Sequence, residues 1–439
     1  MLISFEPKNF LSFGFDNTSF TMATGKARGK REHVIVDKKI QLLRFASLYG
    51  SNSSGKSNFV KAIKFAQNII LEGIKNDFKI TQYYNRSHEE NAKKTTEFKF
   101  QFLIHKKIYT YEIGMLLNSR QFVFEKLACN DKSVFSRDLQ NQAYDINITC
   151  KNPEKKAKVN MFFDTIKNLD DVLFLKDMNL NKASLYDEQD EISIFNDLYN
   201  VFKQSLKIVT PTTRVSNEKI LFTEEKKVEK VLQQFGFDIT QLIYKEDTRE
   251  NVFRGFPQEL IDELMNQINQ QLVEEDLADV VLHGPNGIVK ISCENGELKL
   301  SSLHCKHGNN VAFAISEESD GLRRLLDLIG IILDPQENDI YIVDELDRSF
   351  NAILSRNFIN YYLNKTLPRT AQLIITTHET RLLDLNMLRK DEIWLFDRNQ
   401  GNTEIVALTD FPGNIRSDVK LDAAYMDGRY GGIPKPFKG

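Results

Sequence analysis

The sequence predicts an α/β fold in which a mostly parallel sheet with crossover helices, and a set of antiparallel strands, are interrupted by a mainly helical insertion. Three observations lead to this prediction. A strand, a Gly-rich loop and an amphipathic helix follow one another near residue 50, and antiparallel alternation runs over 96–128. From about residue 320 strands alternate with helices, which is typical of parallel sheets.

Composition excludes several classes of protein before any motif is considered. The 439 residues include 58 Lys and Arg against 61 Asp and Glu, a formal net charge of −3, which argues against a globally basic nucleic-acid binder. No apolar run approaches the roughly 20 residues of a membrane span, and the N-terminus lacks a secretory signal pattern, so no membrane partner is expected. Four widely spaced cysteines without a CxxC pair favour reduced thiols and a cytoplasmic location.

The N-terminal half of the predicted fold spans residues 1–149. Apolar alternation at its start predicts a strand and a turn, followed by a polar, basic loop over 24–33. Residues 34–49 predict strands that run into the Gly-rich loop, and helical spacing over 55–75 predicts the next helix. The segment 96–128 predicts antiparallel strands with short turns.

The insertion is expected over 150–275, a polar segment rich in Lys, Glu, Asn and Gln, with helices near 192–206, 224–235 and 257–275. The C-terminal half, 276–439, returns to strand alternation over 279–315. After that the sequence predicts a helix over 320–333, a strand over 339–343, a helix over 349–365, a strand over 372–376 and a strand near 392–396.

A phosphate-binding loop is predicted where the first buried strand meets the first helix. The residues Gly50, Ser51, Asn52, Ser53, Ser54, Gly55, Lys56 and Ser57 match GxxxxGK[ST] in full. Small residues let backbone N–H groups point at phosphate oxygens, and the helix N-terminus adds positive potential. Lys56 is expected to reach the β- and γ-phosphates and Ser57 to bind Mg²⁺, with Asn58 completing the nucleotide-binding segment.

Two further strand ends carry polar side chains suited to ATP chemistry. Asp344 and Glu345 end the apolar strand 339–343, so Asp344 is expected to hold Mg²⁺ and Glu345 to act as general base on the attacking water. His378 follows the strand 372–376. Because the carboxyl ends of parallel strands meet at one crevice, we expect His378 at the γ-phosphate, with a structural hydrogen-bonding role as the alternative.

Three other segments have competing interpretations. Ser319 or Asp320 caps the helix that starts there, or the hydroxyl and the helix N-terminus bind the phosphate of a partner subunit. The stretch 304–307 (His-Cys-Lys-His) lacks the second ligand cluster of a zinc site and is interpreted as a solvated turn. Lys26, Arg28, Lys30 and Arg31 are interpreted as a solvated loop, with a nucleic-acid contact as the alternative.

Taken together, the motifs resemble the ABC/SMC-type P-loop ATPase heads. More narrowly they resemble the AAA15-type ATPases of the OLD/RecF-like group, nearest the RloA/AbiLi-type ATPases of anti-phage defence and related to the PARIS and Septu ATPase subunits. Beyond the phosphate loop, the resemblance rests on Glu318–Leu325, Asp344–Ser349, Thr376–His378, Asp391–Trp394 and the tail Gly428–Pro434. It covers about residues 1–130 and 280–435.

This resemblance implies a head-to-tail homodimer, or a higher even oligomer, with two ATP molecules and Mg²⁺ between the subunits. The phosphate loop of one subunit is then expected to face the other subunit's signature segment, which contains Ser319, Asp320 and Gly321. Asp347 is expected at the dimer interface, His378 is the expected switch histidine, and Gln82 is the candidate Q-loop glutamine.

The resemblance also implies an ATP-hydrolysing sensor subunit of a bacterial anti-phage defence system. Related nucleases append a TOPRIM domain, whereas only residues 379–439 follow His378, so nuclease activity is expected from an operon-encoded effector of the RloB-like, TOPRIM or HNH class. A phage protein or nucleic acid is the expected trigger. The alternative function is a RecF/SMC-like DNA-repair or DNA-clamping ATPase. A transporter subunit is disfavoured because LSGGQ is absent.

Overall fold

The computed structural model describes residues 1–25, 27–37, 40–74, 78–182, 185–186, 191–211, 219–274, 279–284, 287–294, 297–411 and 420–431. The strands in this part of the chain are β1 (Leu2–Lys8), β2 (Phe20–Thr21), β3 (Val34–Val36), β4 (Gln41–Leu43), β5 (Phe45–Gly50), β6 (Thr96–Ile104), β7 (Lys107–Leu116), β8 (Gln121–Cys129), β9 (Lys132–Asp138), β10 (Ala143–Ile146), β11 (Leu206–Val209), β12 (Ile239–Asp247), β13 (Asp279–Gly284), β14 (Gly287–Glu294), β15 (Glu297–His307), β16 (Ala312–Ala314), β17 (Ile340–Val343), β18 (Gln372–Thr376), β19 (Ile393–Asn399) and β20 (Asn402–Ala407).

The helices are α1 (Lys56–Glu72), α2 (Pro153–Ile166), α3 (Phe174–Met178), α4 (Ile194–Asn200), α5 (Ile220–Thr223), α6 (Glu225–Gln234), α7 (Arg249–Val252), α8 (Gln258–Glu274), α9 (Asp320–Leu333), α10 (Ala352–Lys365) and α11 (Leu421–Met426). None of these helices is long and apolar enough to cross a membrane. The predicted strand 372–376 coincides with β18, and the predicted helix 320–333 coincides with α9.

The chain divides into two compact units whose boundaries differ from the predicted ones. The first unit comprises Met1–Thr213, Gln336–Arg348 and Leu363–Gly439, and the second comprises Arg214–Pro335 and Ser349–Tyr362. Regular structure between 150 and 275 is mostly helical, as predicted, but this segment also supplies β11 and β12. Its first part belongs to the first unit because β11 pairs with β17 and because α2–α4 contribute to that unit's apolar core.

A central sheet in the first unit has the strand order β11-β17-β18-β5-β19-β20. All neighbouring pairs are parallel except β19 with β20, which confirms the predicted mostly parallel sheet. Every residue of β5, β17 and β18 is buried, which explains why their sequences are near-continuous apolar runs. The parallel pairing places the carboxyl ends of these three strands side by side.

A seven-stranded antiparallel sheet completes the first unit, in the order β10-β9-β8-β7-β6-β1-β2. The prediction for 96–128 is confirmed by β6–β8, and the sheet extends further because β9 and β10 add two hairpins. Aromatic side chains fix α1 in this unit. Phe59 of α1 packs edge-to-face on Phe5, Phe20 and Phe396, with ring centroids 5.4, 5.4 and 5.6 Å away.

The second unit contains an antiparallel sheet in the order β12-β15-β14-β13, with β16 also paired to β15. The interpretation of residues 304–307 as a solvated turn is wrong. These residues end β15, where pairing with β12 on one side and β16 on the other extends the strand and buries Cys305. Burial raises the pKa of this thiol to about 12. Within the described residues, no group of three His, Cys, Asp or Glu side chains has the arrangement of a metal site.

Candidate nucleotide-binding site

The loop between β5 and α1 is closed by two glycines that no other residue can replace without displacing a neighbour. A Cβ on Gly50 would lie 2.6 Å from the Phe396 carbonyl oxygen. Gly55 has a φ of +112°, and a Cβ there would lie 2.8 Å from Cγ2 of Thr403. At Gly55 the loop enters the helix in a positive-φ backbone conformation that residues with a Cβ rarely adopt. The backbone N–H groups of the loop then lie at the N-terminus of α1.

Thr403 on β20 holds the loop through its side-chain hydroxyl. Its buried hydroxyl donates a hydrogen bond to the Ser54 carbonyl at 2.8 Å and lies 2.7 Å from the Ser12 hydroxyl. Asn58 of α1 donates to the same Ser12 hydroxyl at 2.9 Å. The sequence did not reveal Thr403 or Ser12, because β20 was not predicted and neither residue belongs to a motif. Asn58 thus contributes to the loop through Ser12.

Gly55→Ala is expected to weaken ATP binding by at least about tenfold. The added methyl group must displace Thr403, and the positive φ strains any L-residue by roughly 1–2 kcal/mol. Equilibrium titration with a fluorescent ATP analogue measures the effect, and thermal denaturation reports the accompanying loss of stability. Gly236→Ala is the matched control, since Gly236 has a φ of +89° but no atom within 4 Å of its added Cβ. ATP binding by Gly55→Ala equal to that of Gly236→Ala would show that the loop tolerates the methyl group.

Lys56, the first residue of α1, folds back over the loop. Its Nζ donates to the carbonyl oxygens of Gly50 at 2.6 Å and Ser51 at 3.1 Å, and the residue is only 4% exposed. Burial lowers the pKa of Lys56 to about 8, while nearby carboxylates, Asp347 foremost, act in the opposite direction. At neutral pH the ammonium ion is still the main form, so the loop holds a buried positive charge beside the helix N-terminus.

Asp344 and Ser57 form a pair of oxygen ligands at the base of the loop. Asp344 follows β17 and is 7% exposed, and its Oδ1 lies 3.4 Å from the Ser57 hydroxyl. The Thr376 hydroxyl donates to the same Oδ1 at 2.6 Å. A buried carboxylate beside a hydroxyl matches the hard oxygen ligands that Mg²⁺ takes in nucleotide sites, where water and phosphate oxygens complete the octahedron. This donor set therefore fits Mg²⁺.

Glu345 turns away from the strand that precedes it. Its φ is +51°, and its backbone N–H donates to the Thr376 hydroxyl at 2.8 Å. The side chain is 36% exposed, and its Oε2 lies 3.9 Å from the Arg348 guanidinium. Glu345 therefore presents a carboxylate accessible to water immediately after the buried Asp344.

His378 is held by Asp347 and lies next to Lys56. Its backbone N–H is 3.2 and 3.3 Å from the two carboxylate oxygens of Asp347, and its Nδ1 is 3.5 Å from Lys56 Nζ. Burial lowers the pKa of His378, and the positive charge of Lys56 lowers it further, against the effect of nearby carboxylates. The neutral ring at pH 7 can accept from Lys56 through Nδ1, which leaves Nε2–H free to donate.

One edge of the central sheet thus brings together six predicted site residues, although the chain separates the outermost two by 322 positions. They are Lys56, Ser57, Asp344, Glu345, Asp347 and His378. Gln82 is not among their hydrogen-bond partners, because its exposed side chain bonds Arg86 instead.

The predicted signature residues belong to the second unit. Ser319 is exposed and caps α9, where its hydroxyl accepts the Leu322 N–H at 3.3 Å. Asp320 pairs with Arg323, and Gly321 approaches the Ser349 carbonyl so closely that a Cβ would lie 3.2 Å from it. The capping role is therefore present in the fold, and the contact with a partner's phosphate stays a prediction.

Hydrogen bonds from a buried Arg389–Asp391 ion pair join the basic loop to the segment that contains Asp391–Trp394. Arg389 contacts Asp391 at 2.8 Å and donates to the Ala27 carbonyl at 2.9 Å, and Lys30 donates to the Leu385 carbonyl at 2.8 Å. The loop is thus only partly solvated, with Arg28 and Arg31 exposed. Lys26 lies outside the described residues, as do residues 432–434 of the tail.

One protein-family model matches the chain over residues 45–384, and its description is AAA domain, putative AbiEii toxin, Type IV TA system. The matched span begins at β5 and contains all the lysine, acidic and histidine side chains brought together above. No curated protein matches the sequence. Among solved structures, the SMC head domain from Thermotoga maritima is similar, with a TM-score of 0.36 and 13% identity over 92% of this chain and 98% of that chain.

Proposed function

Because the chain belongs to this family of AAA domains, we propose that it is the ATP-hydrolysing sensor subunit of a bacterial anti-phage defence system. It acts as a head-to-tail dimer that controls a companion effector of the nuclease class. The observation that carries the proposal is the convergence of Lys56, Asp344, Glu345 and His378 on the carboxyl ends of neighbouring parallel strands. The family description names a putative AbiEii toxin of a Type IV TA system, and the defence role is proposed from the resemblance of the motifs to anti-phage ATPases.

Each converging side chain has a distinct role in this proposal. Lys56 exchanges the loop carbonyls for oxygens of the β- and γ-phosphates, so its buried charge is compensated by ATP. Ser57 and Asp344 hold Mg²⁺, which neutralises phosphate charge when bound. Glu345 orients the attacking water and accepts its proton. His378 donates Nε2–H to the γ-phosphate, and its Nδ1 faces Lys56.

The dimer supplies the remaining contact to the nucleotide. Ser319 and the start of α9 present a hydroxyl and the N–H groups of a helix N-terminus, which together bind anions well. In the proposed dimer they close on the γ-phosphate held by the partner's phosphate loop. ATP binding closes the two subunits and hydrolysis releases them, and the companion effector responds to this change.

Ser319→Asp tests the dimer and the ATPase activity together. Asp caps a helix as well as Ser does, so the fold is kept, but its carboxylate repels the partner's phosphates. We expect phosphate release to fall by at least about tenfold and the ATP-dependent doubling of mass in light scattering to disappear, with ATP binding by the separate subunits retained. Ser319→Asn is the matched control, because it has the same shape and capping ability without the charge.

Equal phosphate release from wild type, Ser319→Asp and Ser319→Asn would contradict the head-to-tail arrangement. Absence of ATP hydrolysis by the wild type, alone and with the product of the neighbouring gene, would contradict the enzymatic proposal. Strong stimulation of hydrolysis by DNA, with binding that weakens steeply with salt, would instead favour a DNA-clamping ATPase.

A further inference from the structure

We propose that Thr376 is a positioning residue whose single hydroxyl group orients both acidic residues of the ATPase site, Asp344 and Glu345. This inference rests on the function proposed above. Thr376 ends β18 and is 1% exposed. Its Oγ1 donates to Asp344 Oδ1 at 2.6 Å and accepts the N–H of Glu345 at 2.8 Å. The hydroxyl group thus donates one hydrogen bond to Asp344 and accepts one from Glu345, two consecutive residues with different roles.

The backbone of Thr376 adds a third hydrogen bond to the same turn. Its carbonyl oxygen accepts the N–H of Leu346 at 3.0 Å. Three successive residues after β17 are therefore attached to one residue of the neighbouring strand. Glu345 occupies the left-handed region with φ of +51°, which a non-glycine residue adopts only where its surroundings hold it there. The Thr376 hydroxyl supplies such a restraint on the Glu345 N–H.

The hydroxyl also determines how Asp344 is presented to a metal ion. Mg²⁺ requires nearly ideal octahedral geometry, so a ligating carboxylate must be held in a fixed orientation. Hydrogen-bond partners of metal ligands typically change metal affinity or activity by roughly 10- to 100-fold when they are removed. Thr376 is such a partner for Asp344. The adjacent Thr377 has its hydroxyl at another turn, where it accepts the N–H of Glu379 at 3.0 Å.

Thr376→Val removes the hydroxyl and keeps the shape and strand preference of the side chain. Affinity for a fluorescent ATP analogue is measured in excess EDTA and in excess Mg²⁺, so that binding is read without turnover. We expect affinity in EDTA to stay within about twofold of wild type, and affinity in Mg²⁺ to fall by roughly tenfold. The Mg²⁺ concentration for half-maximal phosphate release rises by a similar factor, and kcat falls because Glu345 is no longer restrained.

Two further variants separate this role from a general structural one. Thr376→Ser restores the hydroxyl and is expected to return the Mg²⁺ dependence to within about threefold of wild type. Thr96→Val is the matched control, because Thr96 is fully buried in the antiparallel sheet and donates one hydrogen bond to the Asn9 carbonyl at 2.8 Å. This control is expected to lower stability while leaving the Mg²⁺ dependence unchanged.

The proposal is overturned if Thr376→Val keeps the wild-type ratio of affinities in Mg²⁺ and EDTA, or if Thr376→Ser behaves like Val. Should the Val variant not fold, the same contrast is measured between Thr376→Ser and Thr376→Ala. Failure of the proposed function is recognised separately, because the wild type itself would then show no Mg²⁺-dependent binding of ATP.

Discussion

Glu345→Gln is expected to reduce kcat for ATP hydrolysis by at least about 100-fold while ATP stays bound. A general base contributes roughly 10²- to 10⁴-fold, and the amide has the shape of the carboxylate but cannot accept the proton of water. The backbone N–H of Glu345 keeps its bond to Thr376, so the turn is unchanged. Single-turnover phosphate release measures the rate, and light scattering with ATP is expected to show a trapped dimer.

The same carboxylate-to-amide substitution outside the site tests whether the loss of activity is specific to Glu345. Glu337→Gln alters an exposed carboxylate in the turn before β17 and is expected to hydrolyse ATP at the wild-type rate. If Glu345→Gln turned over ATP as fast as Glu337→Gln, Glu345 would not be the general base.

Lys56→Ala is expected to lower ATP affinity by at least about 100-fold. The substitution removes the buried ammonium group that lies over the phosphate loop, where burial makes its charge interact strongly with phosphate. Calorimetric titration measures the affinity, and thermal denaturation checks that the protein is folded. Under the proposed defence role, a plating assay on cells that carry the gene with its neighbours is expected to show loss of protection against phage.

Lys61→Ala is the matched control for the lysine. Lys61 is exposed on the same helix and makes no ion pair with a described residue, so the variant is expected to bind ATP and protect cells as the wild type does. Normal ATP affinity in Lys56→Ala would contradict the role of the phosphate loop, and normal protection without ATP binding would separate the defence role from the nucleotide.

The elements that could be predicted well from the sequence are those with a recognisable pattern of apolar residues within the element itself. The helix α1 and the strand β18 follow from apolar spacing and from the motifs beside them. The strand β11 was not predicted: the helix predicted near 192–206 includes only its first residue, and its four residues form a strand only by pairing with β17 far along the chain. The strands β9, β10 and β20 carry mixed polar residues and were missed for a similar reason: their pairing partners, not their own patterns, define them.

In the candidate site, too, residues with a recognisable local pattern could be predicted, whereas residues whose roles depend on distant partners could not. Asp344, Glu345 and His378 follow predicted strands, and they were predicted as site residues from those positions together with the phosphate loop and, for His378, the family resemblance. Threonine is common in strands, and nothing in the sequence distinguishes Thr376 or Thr403 from any other threonine. Their roles follow from hydrogen bonds that span 32 and 349 positions of the chain.

The position of β5 between β18 and β19 has a consequence for how the protein is made. Both neighbours of β5 are encoded more than 300 residues downstream of it. At roughly 5–20 residues per second, a ribosome needs about 17–70 s to complete both of them. Through that interval the nascent chain carries an apolar strand with two unpaired edges, the form most prone to pair with other chains. The candidate site is therefore completed only after β18 and β19 have been translated, and we expect products that stop before them to aggregate instead of forming a partial site.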